Sequence, residues 1–125
     1  MEERINMKTR YKFKFYLNAR HSVTFDDKTS NIHPHTWEIA VIFGCKQSDT
    51  VNFSKFENEL EKNFLLYEGK YLNELEAFKN ENPTMEVIGK VFYQSIKSIV
   101  NNIDLFFETL EISENPTRTY IIEAD

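Results

Sequence analysis

The chain has 125 residues, with eleven Phe, six Tyr, only three Gly and a formal net charge of −5. That length suits one domain, 1–125, with a modest core, and the composition favours aromatic strands and ordered helices over a disordered chain. The negative balance argues against a nucleic-acid module, which needs a basic surface to neutralise phosphate.

A single cysteine, Cys45, leaves no internal disulfide and points to a reducing compartment. The first ten residues are charged and carry no apolar h-region, and no apolar run is long enough to cross a bilayer. A cytoplasmic protein is the expectation.

In chain order, Tyr11 to His21 reads as a strand. Phe13, Phe15, Leu17, Ala19 and His21 project to one side, and Lys12, Lys14, Tyr16 and Asn18 to the other. Ser22 to Ile32 is polar and reads as a loop. His33 to Gly44 is a second strand whose apolar side carries His33, His35, Trp37, Ile39, Val41 and Phe43. Gly44 to Thr50 is a polar connection, in which Cys45 reads as structural rather than nucleophilic.

Phe53, Phe56, Leu60 and Phe64 then recur at helical intervals. Ser54 with Glu57 fits a capping box, and Asn52 is an equal candidate for the N-cap. Gly69 lies in the breaker that follows. A second helix is expected after Pro83, with Thr84 as N-cap, Glu86 near the positive end of the dipole, and Ile88, Phe92, Ile96 and Ile99 on its apolar face. Phe106 to Ser113 and Thr119 to Glu123 return to strand character around an Asn115-Pro116 turn. The order ββααββ implies an α+β fold: a four-stranded antiparallel sheet with two helices on one face. Its open edges invite joining to further copies.

The chain's three histidines, His21, His33 and His35, all stand where an apolar stripe ends. A His-x-His pair alone carries little. Three imidazoles at the ends of two adjacent strands are the donor set of an open zinc site, which keeps a fourth position for water or substrate. Glu114 ends the stripe Phe106, Leu110, Ile112. It reads either as a solvated carboxylate or as an acceptor for the paired N–H donors of a guanidine-like ligand edge.

These residues resemble a known family. Phe15 to His21, His33-Pro34-His35, Val51-Asn52-Phe53, Tyr71-Leu72-Asn73, Pro83-Thr84-Met85-Glu86, Glu114 and Tyr120 follow the pattern of 6-pyruvoyl tetrahydropterin synthases. That family includes the 6-carboxytetrahydropterin synthases of queuosine biosynthesis. The resemblance implies the tunnelling fold (T-fold), built as barrel-like trimers stacked into a hexamer with sites between subunits. It further implies zinc on His21, His33 and His35, and a reduced pterin such as dihydroneopterin triphosphate, anchored by Glu114 with Thr84 and Glu86 as further ligand-binding positions.

The departures concern proton transfer. Family members with synthase activity usually carry a cysteine four residues before a His-Gly-His pair, and Thr29 stands there, before His33-Pro34-His35. The family's Asp-His positions read Glu68 and Gly69, and the aspartate of its Asp-Phe reads Asn52. A positioned acid or base contributes on the order of 10²–10⁴-fold in rate, so losing both groups leaves the usual reaction slow unless Glu68, Asp26 or Asp27 replaces them. If active, the chain is a zinc-dependent lyase-type synthase. The competing expectation is a non-catalytic module of the same fold that binds a pterin or related ligand, and a third is zinc-dependent hydrolysis of an unrelated substrate.

Overall fold

Alternation along two long strands decides the sheet. A computed structural model describes residues 8–44, 52–100 and 106–125. Strand β1 (Arg10–His21) pairs antiparallel with β4 (His33–Gly44) over its whole length, from Arg10 opposite Gly44 to His21 opposite His33. β5 (Phe106–Asn115) joins β4 on its other side, and β6 (Arg118–Glu123) completes the order β1-β4-β5-β6. The odd-numbered residues of β1 and β4 share one face. Leu17, Ala19, Trp37, Ile39, Val41 and Phe43 are all buried there. The opposite face is held by cross-strand ion pairs, Lys12–Glu111 at 2.6 Å and Lys14–Glu38 at 3.4 Å.

Both helices cover the apolar face. In α1 (Phe53–Leu65), Phe56, Leu60 and Phe64 are buried, and Phe56 meets Phe43 edge-on with ring centroids 4.4 Å apart. In α2 (Met85–Val100), Ile88, Phe92, Ile96 and Val100 are buried, and Ile99 is partly so. Gly89 lets this helix approach β5, because a Cβ there would lie 3.0 Å from Ile112 Cγ2. Burying each large apolar side chain contributes roughly 1.5–3 kcal/mol, which fixes the helices to that face.

Of the two N-cap candidates, Asn52 rather than Ser54 caps α1, its Oδ1 accepting from Lys55 N at 3.1 Å. Two details differ from the sequence reading. The segment after β1 is not a plain loop. It folds into a hairpin, β2 (Thr24–Phe25) and β3 (Lys28–Thr29), because Asp26 and Asp27 adopt the positive φ of 50° and 63° that a tight primed turn needs. Phe106 does not extend the apolar stripe of β5: it is 61% exposed, while Phe107 packs on Phe43. The register slips there, with Phe43 opposite Phe107 but Ile42 opposite Thr109. Glu108 is thus the extra residue of a β-bulge, which reverses the alternation on either side. Cys45 and the connection to residue 51 lie outside the described residues.

Candidate metal centre

Antiparallel register brings the histidines together. His21 and His33 are directly opposed at the ends of β1 and β4, and His35 stands two residues along, opposite Ala19. The three rings are 4.5, 4.8 and 5.1 Å apart between centroids. The small Ala19 leaves room for the ring across from it. Trp37 forms the floor, edge-on to His21 at 5.0 Å and to His35 at 5.3 Å, with its Nε1 donating to the Ala19 carbonyl at 3.3 Å.

Glu114 enters from β5, one residue past the Glu38–Ser113 pair. A second irregularity, between Ile112 and Asn115, occupies this end of the β5–β6 ladder. Glu114 Oε1 lies 3.1 Å from His21 Nε2 and 2.8 Å from His35 Nε2. One donor atom from each of His21, His33, His35 and Glu114 falls within 4.8 Å of the others.

Backbone carbonyls set the imidazole tautomers. Pro83 O and Asn31 O are only acceptors, so His21 Nδ1 donates to the first at 2.8 Å and His33 Nδ1 to the second at 2.7 Å. With Nδ1 as the donor, Nε2 of each ring is the atom left to offer a lone pair to a metal, and His21 Nε2 meets Glu114 Oε1 at 3.1 Å. His35 Nε2 is buried and, although near Glu114, lies off the direction a hydrogen bond requires. Burial lowers the His35 pKa below its ordinary value; Glu114 opposes the shift, and His21 and His33 reinforce it. Nε2 lone pairs facing a carboxylate oxygen repel unless something positive stands between them. This donor set fits a divalent cation such as zinc.

Two asparagines build the approach to His21. The Asn73 amide accepts from Ser22 N at 3.0 Å and donates to Ser22 O at 2.9 Å. Asn82 repeats this on Thr24, with both contacts at 2.9 Å. Each amide acts as a peptide unit that prolongs strand pairing beyond β1. Tyr71 adds a hydroxyl contact of 2.7 Å to the buried Ser22. Sequence reading did not assign these roles, although the Leu72-Asn73 pair lay in the pattern that carried the resemblance.

The other expected site residues hold local contacts or lie at the surface. Thr84 closes α2, its Oγ1 accepting from Val87 N at 3.3 Å, and Glu86 is exposed in the first turn. Thr29 Oγ1 lies 2.9 Å from Thr24 Oγ1 in the hairpin, and Asp26 and Asp27 are exposed at its tip. Glu68 accepts from Asn18 N at 3.0 Å and Asn18 Nδ2 at 3.1 Å, so both its oxygens serve the edge of β1. Gly69, at φ 71°, donates its N–H to Asn18 O at 2.7 Å.

Fold and site together define a class: α+β proteins whose antiparallel sheet gathers three imidazoles and a carboxylate able to hold a metal ion. The sequence pattern of the 6-pyruvoyl tetrahydropterin synthase family matches residues 10–125, and the chain belongs to that family. The 6-pyruvoyl tetrahydropterin synthase of Caenorhabditis elegans has a similar structure, with TM-score 0.82, 15% identity, and 95% of this chain and 97% of that one covered. The corresponding synthase of Plasmodium falciparum gives TM-score 0.70 at 12% identity, covering 95% and 99%. An uncharacterised protein of Wolinella succinogenes gives 0.74 at 11%, covering 96% and 100%. No curated protein matches the chain. Among the described residues no helix is long and apolar enough to cross a membrane.

Proposed function

We propose that the chain binds zinc through His21, His33 and His35 and takes up a reduced pterin, such as dihydroneopterin triphosphate, with Glu114 as the anchor for its N–H edge. The observation that carries this reading is the pair of backbone carbonyls that leave Nε2 of His21 and His33 to offer lone pairs beside His35. A zinc ion bound there supplies Lewis-acid polarisation of a substrate oxygen. The chain's own residues do the rest. Pro83 and Asn31 hold the ring tautomers, Trp37 keeps water from below, and the Glu114 carboxylate can accept two N–H donors from a planar ligand edge. Thr84 and Glu86 would meet the ligand from the start of α2, which already touches the site through the Pro83 carbonyl.

A second reading, a binding module without turnover, is favoured by a specific observation. Thr29 is paired within its hairpin, Gly69 has no side chain, and Glu68 is tied to Asn18. For Glu68 to serve as a replacement base it must release Asn18 and reach a neighbouring subunit's site. Assembly as a hexamer, a dimer of trimers with intersubunit pockets, fits the exposed Tyr16 on edge strand β1 and Ile121 on edge strand β6. Light scattering at monomer mass would contradict it. A cytoplasmic setting fits the lone cysteine.

The deciding experiment incubates the zinc-loaded protein with dihydroneopterin triphosphate alongside an ordinary synthase of the family. Calorimetric binding is expected, with side-chain turnover slower by at least the order of 10²–10⁴-fold that one missing acid or base costs. Release of acetaldehyde, or a pyruvoyl or carboxy pterin formed at the ordinary rate, would remove the module reading. Absence of binding would remove the pterin.

A further inference from the structure

The position of Glu114 is at odds with a purely pterin-anchoring role. Pairing with a guanidine-like edge needs both carboxylate oxygens turned toward the ligand. Here Oε1 is turned to the imidazoles instead, 3.1 Å from His21 Nε2 and 2.8 Å from His35 Nε2. Donors bound to a tetrahedral zinc at about 2.0–2.1 Å stand about 3.3 Å from one another. The carboxylate thus sits near the spacing of a coordination shell, on nitrogens whose lone pairs face it.

A hydrogen bond explains only part of the contact. His21 Nε2 and Glu114 Oε1 meet with hydrogen-bond geometry at 3.1 Å, but because Nδ1 already donates to Pro83 O, the ring can donate to Glu114 as well only when it carries a second proton. His35 Nε2 lacks the direction for a hydrogen bond despite the short distance. Once a cation takes these lone pairs, Oε1 either joins it or withdraws. Three neutral imidazoles leave a divalent ion its full charge, and one carboxylate halves it, which favours joining in a partly buried pocket.

We propose that Glu114 is the fourth metal ligand while no pterin is bound, and that pterin capture draws this carboxylate away and opens the fourth position. The exchange rests on the pterin reading above; the ligation does not. One side chain then keeps the cation closed to water until the ligand arrives, so that ligand binding and metal opening are one event.

Cobalt(II)-substituted protein tests this through its visible spectrum. Water on an open three-imidazole site ionises near neutral pH, as a zinc-bound water does at about pH 7, and the spectrum changes with it. A site closed by carboxylate has no such water. Wild type should keep one spectrum from about pH 6.5 to 9, and Glu114→Gln should show a transition inside that range. A wild-type transition like the variant's would overturn the ligation, with no dependence on how the variant folds. Zinc affinity, read by competition with a chromophoric chelator, should fall at least about tenfold in Glu114→Gln. An unchanged affinity would also count against the ligation.

The second arm adds 7,8-dihydropterin, which has no side chain, and follows its binding by fluorescence. A pH-dependent spectrum should then appear in the wild type. Bound pterin with a still-flat spectrum overturns the exchange. A flat spectrum with no pterin bound overturns the pterin reading and the exchange together, and leaves the closed site standing.

Discussion

At the C-terminal end of β1, the inner face and the outer edge have been built for different purposes. On the inner face, three imidazoles, a carboxylate and two tautomer-setting carbonyls converge over a tryptophan floor. Around Asn18, at the positions where the family places its Asp-His pair, Glu68 and Gly69 instead hook the chain onto the outer edge of β1. Metal chemistry needs donors with the right lone pairs, and those are present. Proton transfer needs a free titratable group, and here the titratable group holds backbone. Among the described residues, the donors that could hold a metal are gathered in one place, and the carboxylate of Glu68 is occupied at the edge of β1.

Mutations can sharpen that contrast, beginning with the largest effect. His33→Ala removes a donor outright and should weaken zinc binding beyond the roughly 10–100-fold that loss of a supporting group costs, measured by chelator competition. Unchanged binding would break the contrast at its stronger end. Trp37→Ala should cost about 3–5 kcal/mol in denaturant unfolding, because a fully buried ring leaves a cavity beneath two imidazoles.

Acidification should act on the same inner face. Protons compete for the imidazole lone pairs, so zinc affinity should fall as pH drops through the histidine range. His35 is already lowered by burial, so the folded metal-free protein binds fewer protons there than the unfolded chain. The His35 contribution to metal-free stability should therefore be level above the ordinary value of 6.5 and decline as pH falls through it. Stability that rises on acidification would contradict the burial of these rings.

Smaller effects are expected around the approach and the outer edge. Asn73→Ala leaves the Ser22 N–H and C=O without their side-chain partner and should cost about 1–3 kcal/mol. Glu68→Gln alters an exposed contact and should change stability by less than about 0.5 kcal/mol, with zinc and pterin binding unchanged. A large loss of pterin turnover in Glu68→Gln would mean the outer edge takes part in chemistry after all.

Much of this was legible in the residues. Period-two alternation gave the β1–β4 pair and its histidine end, because one buried face admits only one register. Helical spacing and the Thr84 cap gave α2. Two kinds of feature were hidden. Bulges reverse alternation without any residue type that announces them, so Phe106 and Phe107 exchanged places. Long-range hydrogen bonds join residues tens of positions apart, so spacing could not show that Glu68 serves Asn18 or that Asn73 clamps Ser22. The Asp26-Asp27 pair did carry a hairpin signal in its tolerance of positive φ, and reading it only as polar loop missed it.

Metal analysis of protein purified without chelator tests the central claim most directly. About one zinc per chain is expected, released when His21, His33 and His35 are all replaced by alanine in a protein that still folds. Preparations that carry no divalent metal and take up none from buffered zinc would contradict it.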